Sequence, residues 1–319
     1  MQQVTKIVSK VLVYDANPTA LGALKTVCEQ NNLIGLKNTS RNIRTILKSN
    51  LDLGAIFVAE DEDGKRLTGK QLCHHIYQAR PGLPVFLRRD HTDDISDLEP
   101  EIQAVVSGCY RTGDMEKLQS LLEEYLFSMY YPVDFAHGVQ TISAEVIPQV
   151  IKGVSVVTET PYLVKDQIIH GELFSLIPLE GSWCRGYMML QTNQDKLVEA
   201  MFESTTPAAD FRDGNGILNE LTNMMWGGLR NRYFVDDSSV QNNPTQVPIV
   251  VDHLHKFISF GSTEPQLCFK YVVQDALGNR EPFDIYQRLI FNLNWSPEQF
   301  ENNDPAVDAL VDSGELEFF

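Results

Sequence analysis

The chain changes pattern at Pro132, and that change limits what it can fold into. Before it, short apolar runs alternate with stretches of helical spacing. Val11–Tyr14 is an apolar run that ends in Asp15, Asn17 and Pro18. Thr19–Asn31 carries apolar residues at helical intervals. Ala55–Ala59 is a second buried-strand candidate, followed by the acidic loop Glu60–Asp63 and Gly64. Gly69–Ala79 reads as helix, Leu83–Leu87 as strand, and Ala104–Val106 as the opening of a further short strand region. Asp114 is placed to cap a helix whose apolar face includes Leu118, Leu121, Leu122, Tyr125 and Leu126. Strands alternating with helices predict an α/β unit, a doubly wound parallel sheet covered on both faces. Function in such sheets collects at the carboxyl ends of the strands.

After Pro132 the order differs. Phe135–Lys152 reads as a helix stopped by Gly153, and Val154–Val157 begins strand-rich sequence. Leu173–Leu179 and Tyr187–Leu190 pair across a turn near Gly181 and Ser182. Gln194–Phe202 is a short helix and Asp213–Phe234 a long one. Val247–Val251, Leu267–Val273 and Ile285–Phe291 are strands, the last two joined through Leu277, Gly278 and Asn279. This is an α+β pattern: an antiparallel sheet covered by long helices. The expected division is a first domain over 1–132, a second over 133–293 and an acidic tail over 294–319. Between the first two, Tyr130–Asp134 offers little slack, with Pro132 ending one helix and Asp134 capping the next.

Charge marks the same break. The net charge of −17 divides into −2 for residues 1–132 and −15 for residues 133–319. Affinity for nucleic acid comes largely from Lys and Arg on phosphates, so this balance argues against nucleic acid and against an anionic membrane surface. No apolar run nears the ~18 residues of a membrane helix, and the N-terminus reaches Asp15 too soon for a signal peptide. The expectation is a soluble, cytoplasmic protein. Cys28, Cys73, Cys109, Cys184 and Cys268 are odd in number and widely spaced, which predicts buried reduced thiols rather than disulfides or zinc. His253 and His255 have no carboxylate or thiol at a ligand spacing and read as solvated or packed, so no metal site of the chain's own is expected. From Glu298 to Glu317 the tail has seven acids and no base.

The segment 9–130 resembles a response-regulator receiver domain. VLVYDANP resembles the first strand and acidic turn, GAIFVAED the third strand, and LPVFLRRD and GCYRTGDMEKL the fourth and fifth strand regions. The residues that carry receiver chemistry are altered. Asp15 matches the first metal-binding acid, but Ala16 stands at the second. Ala59 stands at the phosphoacceptor, with Glu60 beside it. Arg89 replaces the hydroxyl residue, and Arg111 with Thr112 replaces the Lys-Pro pair. Alanine neither ligates a metal nor accepts a phosphoryl group, so the resemblance implies a pseudo-receiver that is not phosphorylated. Glu60 reads as one of several solvated loop acids, with a fixed charge mimicking the activated state as the sharper alternative.

The helix over 213–234, DGNGILNELTNMMWGGLRNRYF, is the most informative segment of the second part. At about 100° per residue, Ile217, Leu221, Met224 and Met225 share a core face. Asp213, Gly216, Glu220, Asn223 and Gly227 fall on a neighbouring strip. Glycine inside a helix costs about 0.5–1 kcal/mol relative to alanine, and close approach by a partner is a return for it. The alternative is relief of crowding against the protein's own sheet. With the V-P-I-V-V strand that follows, this context resembles the CheX/CheC/FliY family of chemotaxis phosphatases, and CheX most closely, over residues 134–292. Proteins of that family dephosphorylate the aspartyl phosphate of a receiver such as CheY. Glu220 and Asn223 match the family motif, in one copy as in CheX, and Gly216 stands where Asp or Ser is expected.

An acyl phosphate is already labile, so its hydrolysis mainly requires a water positioned for in-line attack. An amide suits that task because it donates and accepts hydrogen bonds without competing as a nucleophile. Asn223 is the candidate for the water, and Glu220 for the partner's active-site Lys. Asp213, Gly216 and Gly227 are the candidate docking surface. The Mg2+ is expected to arrive with the phosphorylated receiver, the chain needing no cofactor of its own. The resemblance implies a homodimer. A different reading is an adaptor that binds receivers or dimerises without hydrolysis, which the absent acid at Gly216 favours.

Overall fold

The computed structural model describes residues 6–37, 43–60, 68–201, 211–234, 250–252 and 256–302. Five segments of the first part form parallel strands: β1 (Ser9–Tyr14), β2 (Leu33–Lys37), β3 (Leu53–Ala59), β4 (Val85–Arg89) and β5 (Gly108–Arg111), in the order β2-β1-β3-β4-β5. Every position of the central β3 is buried, as a strand covered on both faces must be. Alternate residues point to opposite faces. Val11, Ala55 and Phe57 meet α1 (Pro18–Gln30) and α5 (Met115–Tyr125) through Leu24, Val27, Leu118 and Leu122. Leu12, Ile56 and Val58 meet the other face, where α2 (Ile43–Ser49), α3 (Gly69–Ala79) and the short α4 (Pro100–Gln103) bring Leu47, Leu72, Ile76 and Ile102. The sheet is doubly wound.

Local chemistry starts these helices. The Asn17 side chain accepts from the amides of Thr19 and Ala20, with Pro18 as first helical residue. Thr68 and Gln71 form a reciprocal capping box on α3. The Asp114 carboxylate accepts from the Lys117 amide at 3.1 Å, as its place before an apolar periodicity predicts.

Three local expectations are corrected. Pro132 does not end a helix: α5 closes at Tyr125 with Leu126 as its cap, well before the proline. Ala104–Val106 is not strand: the amides of Ala104 and Val106 bond back to the carbonyls of Pro100 and Ile102, and the strand begins at Gly108. Pro100 fits a helical first turn, and that start wins over three apolar side chains. Asp134 does not cap α6 (Val133–Val150); Pro132 occupies the cap position, and Asp134 lies in the first turn, where its charge favours the positive helix end.

The second part builds an antiparallel sheet. β6 (Val154–Thr158), β7 (Tyr162–Val164), β8 (Leu173–Glu180), β9 (Cys184–Thr192), β12 (Gln266–Asp275) and β13 (Phe283–Trp295) run in the order β6-β12-β13-β9-β8, with β7 also pairing β12. Gly278, at φ +72°, turns β12 into β13, placing Leu267 opposite Leu289 and Tyr271 opposite Ile285. α6, α7 (Gln194–Met201) and α8 (Phe211–Tyr233) cover one face. At its centre Phe135 meets Trp183 edge-on at 5.3 Å. A hairpin of β10 (Val250–Asp252) and β11 (Phe257–Ser259) contributes Ile258 to the other face, where Phe260 joins it against Met189 and Ile290. Of the expected strand over 247–251, residues 247–249 lie outside the described residues.

The two sheets meet through main chain and charge. The Val8 amide donates to the Pro161 carbonyl and the Leu163 amide to the Val8 carbonyl, both at 3.0 Å. Arg80, at the end of α3, donates from Nε to Asp166 Oδ2 at 2.6 Å. The same guanidinium donates to the carbonyls of Asn50 and Leu51. Arg288 Nη1 donates to the Asp166 carbonyl at 3.1 Å, and Arg288 Nη2 meets His170 Nε2 at 2.7 Å. All four side chains are buried. The five cysteines are free and buried, and burial pushes the Cys73 and Cys268 thiols up to about 12. Among the described residues no helix is long and apolar enough to cross a membrane.

Candidate functional site

α8 is held by one face and open on the other. Ile217, Leu218, Leu221, Met225 and Leu229 are buried in the core beneath it, with Met224 packed at its edge. Thr222 fixes its rotation: the hydroxyl donates to the Leu218 carbonyl at 2.7 Å and bonds the Ser175 hydroxyl on β8. At the far end the Trp183 indole N–H donates to the Tyr233 carbonyl at 2.9 Å, satisfying a terminal acceptor. Asp213 in the first turn and Arg230 and Arg232 in the last complement the helix dipole.

That rotation turns Glu220 and Asn223 to solvent. Three residues apart, they stand one turn from each other on the same face. Among the described residues neither side chain has a hydrogen-bond or ion-pair partner. Gly216 is exposed on the same strip, and Asp213 and Gly227 are partly so.

The helix glycines divide into two kinds. A methyl group at Gly228 would lie 2.7 Å from Ile142 Cγ2 on α6, and one at Gly214 would lie 3.2 Å from Val198 Cγ2 on α7. Those two accommodate neighbouring helices. At Gly216 and Gly227 a methyl group would meet nothing within 4 Å among the described residues. Relief of internal crowding, the alternative open in the sequence, therefore does not account for them.

The carboxyl ends of the parallel strands hold a second polar cluster. Asp15 is buried at the end of β1, and its oxygens are taken by Arg88, Nε to Oδ2 at 2.5 Å and Nη2 to Oδ1 at 3.3 Å. The Asn17 amide donates to Oδ1 as well, at 2.8 Å. Arg88 also reaches Asp90 and donates to the Thr112 hydroxyl at 3.1 Å. A guanidinium of the chain thus fills the space beside Asp15. Ala16 is exposed and Ala59 buried at the end of β3. Gly69 packs so tightly on Ala59 that a methyl group would lie 1.9 Å from its carbonyl oxygen.

Glu60 is not the solvated loop acid expected of it. Its side chain is 17% exposed and bonded by Arg89 Nε at 2.9 Å, with the Lys70 ammonium at 3.2 Å. Burial opposes its charge, but the bonds and charges of Arg89 and Lys70 outweigh burial and hold the carboxyl below the usual glutamate range. Arg89 grips Asp97 as well, at 2.5 and 3.0 Å. Arg111 turns outward to Asp93 and Asp114. Arg88 was missed in the sequence; the signal for it was a second arginine at the end of an apolar strand. His253, His255 and the tail from residue 303 lie outside the described residues.

No protein-family model and no curated protein matches this chain. Solved structures do. A response regulator receiver domain protein from Clostridium thermocellum is 18% identical, covering 37% of this chain and 94% of its own, at a TM-score of 0.31. A chemotactic CheC-like protein from Shewanella oneidensis MR-1 is 13% identical, covering 50% of this chain and 99% of its own, at a TM-score of 0.31. A CheC-like superfamily protein from Shewanella sp. PV-4 is 16% identical over 50% of this chain and 99% of its own, at a TM-score of 0.32.

Proposed function

We propose that this is a two-component signalling protein whose α8 face hydrolyses the aspartyl phosphate of a partner receiver of the CheY kind. The observation that carries the reading is the pair Glu220 and Asn223, exposed, without a partner among the described residues and flanked by two glycines that no contact with those residues requires. Asn223 holds a water in line with the phosphorus. Glu220 takes the ammonium of the partner's active-site Lys. The glycines let the partner's backbone approach the helix. The Mg2+ belongs to the partner. The segment 1–132 is a pseudo-receiver that is not phosphorylated, its Asp15 committed to Arg88 and its acceptor place held by Ala59. The second domain, 133–293, works in the cytoplasm as a homodimer.

The test is release of phosphate from a panel of phosphorylated receivers by the full chain. Asn223→Ala is expected to slow release by about 10²-fold or more, since a misplaced water loses at least that much, with an unchanged circular-dichroism spectrum. Wild-type release by that variant would overturn the assignment. Gly216, standing where the family carries an acid or Ser, favours a second reading, a receiver-binding adaptor. In that case receivers bind the chain, Glu220→Ala weakens binding, and no receiver loses phosphate faster.

A further inference from the structure

A cleft of about 810 Å³ opens where the two units meet. α2 and α3 form one wall, and the segment Ile168–Gly171 with Lys256 forms the other. The volume is that of a typical small-molecule site. Leu47, Leu51 and Ile168 give it an apolar surface, and among the described residues its charged lining is Arg44, Lys48, Arg80 and Lys256, with no carboxylate. In a chain of net charge −17 that is an anomaly of sign.

The charge beneath the cleft points the same way. Two buried guanidiniums, Arg80 and Arg288, share the single carboxylate of Asp166. His170 beside them is held neutral by burial and by those arginines. The buried network therefore has an excess positive charge beneath the cleft. The N–H groups of Arg80 are taken by Asp166 and by the carbonyls of Asn50 and Leu51, so this charge acts on the cleft as a field. An anion held by the exposed Arg44, Lys48 and Lys256 would offset it.

Lys256 is placed with some strain. Its φ of +51° is unusual for a residue with a side chain, and its carbonyl accepts from the Ile169 amide at 2.6 Å. That bond ties the exposed lysine to the cleft wall. Residues held in such conformations cluster at ligand sites.

We propose that this cleft binds a small organic phosphate, its phosphate on Arg44, Lys48 and Lys256 and its less polar body on Leu47, Leu51 and Ile168. The ligand would touch both units at once and so couple its concentration to their union. The inference is independent of the α8 site.

Calorimetric titration of the full chain at low salt tests it, with adenosine and guanosine mono- and triphosphates, a cyclic dinucleotide, inorganic phosphate and a synthetic 303–319 peptide as probes. At least one nucleotide is expected to bind saturably with a raised melting temperature. Arg44→Glu with Lys256→Glu should weaken it at least tenfold; both side chains are exposed, so the fold is retained, as circular dichroism would verify. Absence of saturable nucleotide binding below about 1 mM would overturn the proposal. So would binding untouched by the double variant. Inorganic phosphate binding as tightly as any nucleotide would remove the organic class, and the peptide binding in place of every phosphate would make the site one for an acidic segment.

Discussion

Arg88 settles what the ends of the parallel strands can do. Its guanidinium and the Asp15 carboxylate are both buried, and removing one partner from such a pair costs about 3–5 kcal/mol. Arg88→Ala is therefore expected to lower the urea midpoint strongly, whereas replacing both residues by apolar ones should recover most of the loss. The placing of Ala16 and Ala59 beside Asp15 and Glu60 is legible in sequence, because strand ends fix which positions face the cluster. The pairing of Arg88 with Asp15 is not. Arg88 and Arg89 are adjacent on β4 and turn to different acids, Asp15 and Glu60, and only the register of the strands decides which takes which. Glu60 yields a prediction in pH. Its folded pKa lies below the ordinary 4.5, so its stabilisation is complete above that value and is lost as pH falls through the lowered one. Glu60→Gln should flatten that acid limb in stability measured against pH.

α8 makes the same point at the scale of an element. Its period of 3.6 sorted the core face from the polar strip without a structure, because one amphipathic helix on one sheet leaves little freedom. The roles of its glycines and of Thr222 were not legible, since they depend on which helices and strands lie alongside. Gly216→Ala and Gly227→Ala should each stabilise the isolated protein by about 0.5–1 kcal/mol, the helix-propensity gain, while weakening the receiver binding proposed for this face. Gly228→Ala should instead destabilise the fold and leave the proposed docking face unchanged, because its methyl group meets Ile142 on α6. Melting temperature and receiver pull-down, read together on the three variants, check both statements. β2 escaped the sequence reading for a related reason: it is an edge strand with mixed exposure. β5 has four residues, too few to display a period, and only the resemblance of GCYRTGDMEKL marked it, while the apolar residues 104–106 pointed elsewhere.

For the whole molecule, the change of pattern and charge at Pro132 is visible in sequence, but the chemistry joining the units is not. Arg80 and Asp166 are 86 residues apart, and nothing local marks either as buried. Asp166→Ala would leave Arg80 and Arg288 facing each other without a counter-ion. It is expected to cost about 3–5 kcal/mol and to separate the melting of the two units in calorimetry. His170 adds a second pH dependence. Burial and the neighbouring arginines hold it well below its ordinary 6.5, so the unfolded chain binds the extra proton first and stability falls as pH drops through 6.5. A shallower slope in His170→Gln would confirm the source.

The hydroxyl of Ser9 donates to the carbonyl of Leu163, across 154 residues, and Gly54 is packed so closely there that a methyl group would strike that hydroxyl. During synthesis this corner stays unfinished until the ribosome has released β7. The first unit thus spends part of its birth with the rim of β1 uncovered, and a pause between codons 132 and 163 would prolong that exposure. Stalled nascent chains probed by limited proteolysis should be cut near Val8 before Leu163 emerges and resist cutting afterwards.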